Sequence, residues 1–361
     1  MAQPVEYLSS WHPLAVAQHE AEPNPVVTPY KKSDARVLYD EGGLLIEHRY
    51  VEMKNGLVYP VLSSHVGGHI PEGLRGLAHV EGVGWTTRPE GLYVERQKLL
   101  GSLAVESTTI GIPQNIGKFI SYDDYVNDFE SIVINEALER DRDPRIATKS
   151  GLSQSAMLLF GLIVIGKRDH GINTVSAHAA VPCLPDGITA EHWRHIPGHL
   201  IETVSKLPYE LNAFKRIAQM DEEKRKALMP TIDLSRRAPI TQLQMLRSLL
   251  SGKSGEYALQ LPDDVPVVVE LKDKDMLSRA RRWRKKYLKD KQNAKIVRDR
   301  DGSHADVVSE ISQSNWSDFE IANATLLREH PELRSDPTTA ARKVLELLKI
   351  HYPQYTNEDA A

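Results

Sequence analysis

"TKSGLSQSAMLLFGLIVIG", residues 148–166, sets Gly151, Ser153 and Ser155 at alternate positions just before a long apolar run. Two readings compete for Ser153. Serine is a favoured helix N-cap, so it could simply start the buried helix that the run from Ala156 to Ile165 predicts. It could also be a nucleophile held at the tip of a strand-to-helix bend. A hydroxyl attacks poorly unaided; it needs a base, an acid to orient that base, and backbone donors for the developing oxyanion. A helix N-terminus supplies unpaired N–H groups and the positive end of a dipole. Such a bend is tight, so the residues two before and two after the nucleophile must be small. Gly151 and Ser155 meet that requirement around Ser153, whereas centring on Ser155 would put Met157 at the second flank.

Working outward from this stretch, short β-type runs precede it: "ARVLY", "GLLIEHR", "GLVYPVL", "LRGLAHV" and "SLAVEST", the first three divided by the turn sequences "DEGG" and "KNG". "SYDDYVNDFESIVINEALERD" has helical spacing, an acidic first turn and a serine placed to cap it. "RIATKS" predicts the strand that enters the bend, and "GINTVSAHAAVP" the one after the apolar helix. From 184 to 262 the tracts look helical, with proline breaks and no convincing strand. Alternation resumes with the dense β-branched "VPVVVEL", the helix-like "MLSRARRWRKKYLKD" and the strand "AKIVRD". Strand–helix alternation with continuous β-branched runs predicts an α/β fold: a mainly parallel central sheet flanked by helices, with a helical insertion. The expected organisation is an irregular extension over 1–36, a core of 37–183 and 263–330, a helical cap over 184–262, and a helical extension and tail over 331–361.

Composition narrows the class. With 361 residues, 41% hydrophobic and 26% charged, the chain can bury a sizeable core. Its net charge of −4 gives no global attraction to nucleic acid or to an anionic membrane. Cys183 is the only cysteine, so no intrachain disulfide forms. No secretory leader or membrane-spanning segment is expected, because the longest apolar stretch falls well short of about 20 residues. The expectation is a cytoplasmic protein; association into a homo-oligomer stays open.

"GLSQS" resembles the nucleophile elbow of the α/β-hydrolase superfamily, G-x-S-x-G, with Ser155 in place of the final glycine. Two later stretches fall in that superfamily's order of nucleophile, acid and histidine. "VPVVVELKDKDML" is similar to the strand that carries the acid, which points to Asp275, with Asp273 as a near rival. "AKIVRDRDGSHADVV" looks like the last strand and its loop, placing the base at His304. Upstream, "LAHVEGVGWTT" resembles the turn that gives the first oxyanion donor, with Glu81 where histidine is usual. The resemblance implies the backbone N–H groups of Val83 and Gln154 as oxyanion donors. It also implies that 184–262 is a cap whose Trp193, Leu200, Ile201, Leu246, Leu249 and Leu250 face the serine.

The implied activity is that of a serine hydrolase cleaving a carboxylic ester or related acyl substrate through an acyl-enzyme. Its partner is a small acyl substrate, and no cofactor or metal is expected. Peptidase, thioesterase or acyltransferase chemistry could run on the same machinery, and a non-catalytic binding protein could keep the fold. Two other motifs carry weaker signals. His192, His195 and His199 in "HWRHIPGH" have ligand-like spacing, but Pro197 interrupts the helix and no carboxylate joins them. The tract 279–291 holds eight basic residues and one acid, with Trp283 and Tyr287 interleaved. A solvated helix face with aromatic anchors packed inward accounts for it better than a nucleic-acid surface, and no nucleic-acid partner is expected.

Overall fold

The computed structural model describes residues 31–67, 78–82, 106–111, 121–139, 146–152, 154–180, 196–219, 251–263, 267–275, 279–291, 294–299 and 302–303, with a few single positions besides. The expected extension before residue 31 lies outside them, as does the expected C-terminal extension except residue 343.

The strands are β1 (Lys31–Lys32), β2 (Arg36–Glu41), β3 (Leu44–Glu52), β4 (Val58–Val66), β5 (Ala78–Gly82), β6 (Ser107–Ile110), β7 (Ile146–Leu152), β8 (Asn173–Ala180), β9 (Val267–Lys272) and β10 (Ala294–Asp299). They form one sheet in the order β1-β3-β4-β6-β5-β7-β8-β9-β10, with β2 also paired to β3. The run β6-β5-β7-β8-β9-β10 is parallel throughout. The edge made by β1 to β4 is antiparallel, so the sheet is mixed where the sequence predicts a mainly parallel one. The cause is local. Gly42 and Gly43 (φ 62° and 81°) and Gly56 (φ 84°) turn the chain back within a few residues, and so short a link can only join antiparallel neighbours. Residues 63–66, which open the glycine-rich stretch "SSHVGGH", belong to β4 and not to a turn.

Helices α1 (Tyr122–Glu139), α2 (Gln154–His170), α3 (Ile196–Gln219), α4 (Lys253–Leu259) and the three-residue α5 (Ala280–Arg282) complete the described elements. Ser121 caps α1 reciprocally: the Asp124 N–H donates to its Oγ (3.2 Å) and its own N–H donates to Asp124 Oδ2 (3.1 Å). Helix α2 is apolar all round and is buried from Ala156 to Ile165. Its two glycines let α1 approach. A Cβ on Gly161 would lie 2.7 Å from Tyr122 Cε1, and one on Gly166 would lie 2.7 Å from Glu130 Oε1. Helix α4, at the end of the expected cap, shares the main core through Tyr257 and Ala258, and Tyr257 stacks on Tyr122 (5.6 Å).

The basic tract turns its aromatics inward. Trp283 is fully buried, stacks on Phe160 (5.0 Å) and donates from Nε1 to the Pro182 carbonyl (3.0 Å). The regular helix predicted over this tract is cut short: α5 passes into a π-turn at Trp283–Tyr287. The Leu288 N–H reaches back to the Trp283 carbonyl (3.0 Å), a widened turn that leaves Trp283, Tyr287 and Leu288 all buried. Among the described residues no helix is long and apolar enough to cross a membrane.

Candidate active site

In the strand order the chain steps from β5 to β6 toward one edge of the sheet and from β7 to β8 toward the other. Where parallel connections part in this way, a crevice opens outside the carboxyl ends of the strands. Gly82, the last residue of β5, is in register with Gly151 of β7 at that end. Val83, the first expected oxyanion donor, follows Gly82 in sequence and lies outside the described residues.

Strand β7 ends at Leu152 and α2 begins at Gln154, so a single residue, Ser153, separates strand from helix; Ser153 itself lies outside the described residues. Gly151 is glycine because of space. A Cβ there would sit 2.6 Å from the Ser155 carbonyl oxygen and 2.7 Å from the Ala156 nitrogen, both backbone atoms. The bend folds the first turn of α2 directly onto the end of β7. Ser155 is buried at its flank. Two residues upstream, the fully buried Lys149 donates to Glu130 of α1 and to the Leu162 carbonyl of α2 (2.7 Å), tying β7 to both helices. Burial pushes the Lys149 ammonium pKa down, against the opposing pull of Glu130.

The turn after β9 holds both candidate acids. Asp275 is fully buried and Asp273 half-buried. The Asp275 N–H donates to the Lys272 carbonyl (3.2 Å), closing the turn. The Lys274 N–H donates to the Gly302 carbonyl (3.1 Å), so this turn is joined to the loop after β10 two residues before His304. His304 lies outside the described residues, while Gly302 and Ser303 beside it are buried. The structure thus brings together the turn carrying Asp275 and the segment leading to His304, at the same carboxyl end of the parallel strands as the Gly151 bend. Of the expected cap residues, Trp193, Leu246, Leu249 and Leu250 lie outside the described residues, as do the side chains of Leu200 and Ile201.

Sequence reasoning missed the contacts that α3 makes with the acid turn. Lys206 Nζ donates to the Asp275 carbonyl (3.1 Å), and the Lys274 ammonium sits 4.9 Å from the centre of the Tyr209 ring. Nothing in the spacing of these residues announces a pairing across 69 positions. The buried Lys149–Glu130 pair had a faint signal, a lysine inside a strand that should be buried on both faces.

A separate polar cleft of about 480 Å³ is lined by Lys54, Asn55, Asp128 and His170 among others, and holds no candidate nucleophile. Its Asp128 accepts hydrogen bonds from Asn55 Nδ2 (2.7 Å) and the Tyr59 hydroxyl (2.9 Å), yet burial pushes its pKa up to about 6. The native state therefore holds that proton more tightly than the unfolded chain. Stability contributed by the neutral acid is complete below the unfolded value and is lost as pH rises through about 6. Asp128→Asn keeps the acceptor without the charge, so its advantage in unfolding free energy should grow by about 2 kcal/mol between pH 4 and pH 7. Urea titrations at the two pH values check this; a pH-independent difference would contradict it.

Comparison with solved structures places the architecture. DcsB, solved in complex with its substrate analogue, superposes with a TM-score of 0.51 at 13% identity, over 79% of this chain and 99% of that one. A malate-bound thermophilic esterase from Thermogutta terrifontis gives 0.48 at 10% identity, over 84% and 99%. The thioesterase domain from the curacin biosynthetic pathway gives 0.48 at 12%, over 78% and 99%. No family model and no curated protein matches the sequence.

Proposed function

We propose that this chain, which has the α/β-hydrolase fold, is a serine hydrolase that cleaves carboxylic esters through an acyl-enzyme. The observation that carries the reading is the bend at Gly151. It leaves Ser153 alone between a strand end and a helix start, with the helix backbone packed so closely that no side chain fits at Gly151. The first turn of a helix has backbone N–H groups without intrahelical acceptors, and a serine at such a junction suits oxyanion stabilisation.

In the proposed mechanism His304 removes the Ser153 proton as Oγ attacks the ester carbonyl. The N–H groups of Val83 and Gln154 hold the oxyanion. His304 then returns the proton to the departing alcohol, and water, activated by the same imidazole, releases the carboxylic acid and restores Ser153. Asp275 orients the imidazole. Its complete burial, and the bond between its turn and the Gly302 loop, favour it over the half-buried Asp273. Helix α3 belongs to a cap over this edge.

Hydrolysis of a p-nitrophenyl ester tests the assignment of the base. The rate should fall on the acid side as a neutral imidazole protonates, near the ordinary histidine value of about 6.5. Chelators should leave the rate unchanged. A rate abolished by chelation and restored by zinc would transfer the chemistry to the histidines of "HWRHIPGH".

A further inference from the structure

We infer that Lys206, on α3, is a positioning residue for the triad acid, so that the inserted helix sets the acid's placement as well as covering the site. The inference rests on Asp275 being that acid. The inner face of α3 is marked by Lys206, Glu210 and Ala213, spaced four and three apart; Glu210 and Ala213 are buried and Lys206 half-buried. On the other side Val204, Leu207 and Leu211, spaced three and four apart, stand exposed. From the inner face Lys206 reaches the Asp275 carbonyl at 3.1 Å.

That bond completes the fixing of the acid's backbone. The N–H of Asp275 is already engaged with the Lys272 carbonyl at 3.2 Å, and Lys206 takes the carbonyl on its other side. Both backbone groups of Asp275 are thus held. The neighbouring residue strengthens the same clamp. Lys274 gives its N–H to Gly302 (3.1 Å), toward the histidine loop, and lays its ammonium on Tyr209 of α3 (4.9 Å). Two consecutive residues are therefore gripped by α3, and the first of them is bonded to the loop that leads to the base. A carboxylate that must orient an imidazole within tenths of an ångström depends on such support.

The experiment is a double-mutant cycle on the full-length protein, with kcat and KM measured on p-nitrophenyl acetate. Lys206→Met, which keeps the stem and removes the donor, should lower kcat about tenfold while KM stays within about twofold. Lys206→Arg, which keeps a cationic donor, should recover most of that loss. In an Asp275→Asn background Lys206→Met should cost almost nothing further, because the group it positions has already lost its role. Three results would overturn the inference: a wild-type kcat in Lys206→Met, a raised KM with unchanged kcat, or the same loss with and without the Asp275 carboxylate. A wild-type kcat in Asp275→Asn alone would instead overturn the triad reading on which the inference rests. Tyr209→Leu, in which the ring is lost but the Lys206 bond stays, should give a smaller loss of kcat than Lys206→Met.

Discussion

Asp275→Asn is expected to lower kcat by about four powers of ten while the protein stays folded, the scale of loss found when the acid of a serine-protease triad becomes its amide. The amide is nearly the shape of the acid, so the fully buried pocket around residue 275 can keep its packing. What changes is the hydrogen-bond logic. A carboxylate accepts from the imidazole and fixes which ring nitrogen faces the serine; an amide can present a donor there and favours the wrong tautomer. Asp273→Asn should cost less than about threefold, because Asp273 is half-buried and the joined loops leave Asp275 as the enclosed carboxylate of the turn. Steady-state kinetics with unfolding curves for both variants decide the matter. The reverse pattern would move the acid to Asp273, and two small losses would place it elsewhere in the chain.

Gly151→Ala should be strongly disruptive for a single added methyl group. The new carbon would stand 2.6 Å from the Ser155 oxygen and 2.7 Å from the Ala156 nitrogen. Both belong to the backbone of the first turn of α2, so no side-chain rotation relieves the overlap. The helix must shift as a body, against the apolar packing that buries it from Ala156 to Ile165. About 3 kcal/mol of stability should be lost, at the upper end for overpacking. Activity should fall about a hundredfold or more, since displacement of the nucleophile by a fraction of an ångström to one ångström is enough for that. Urea unfolding and turnover measured together check both; wild-type values in each would mean that the bend is not tight.

Much of this was legible because single residues carried it. The glycine–serine knot before an apolar run predicts a bend with small flanks, and a Cβ added at Gly151 would meet backbone within 3 Å, as a tight bend requires. The β-branched "VPVVVEL" and the run "AKIVRD" correspond to β9 and β10, adjacent and parallel, because both carry strand-type residues with little competing pattern. Turn chemistry is visible too, in "DEGG" and "KNG", and links that short force antiparallel pairing and make the sheet mixed. The π-turn at Trp283–Tyr287 had no local signal, since the widening depends on three side chains finding one core. The grip of α3 on the acid turn was equally hidden. It joins Lys206 to a backbone carbonyl 69 residues away, and a backbone acceptor leaves no mark in the sequence.

The central claim is that Ser153 is the nucleophile of a working hydrolase, and covalent labelling tests it most directly. The folded protein is treated with a fluorophosphonate probe, and the modified residue is mapped by peptide mass spectrometry. Stoichiometric labelling at Ser153, abolished in Ser153→Ala and retained in Ser155→Ala, is the result expected. Labelling of Ser155, or of no serine at all in folded protein, would contradict the account.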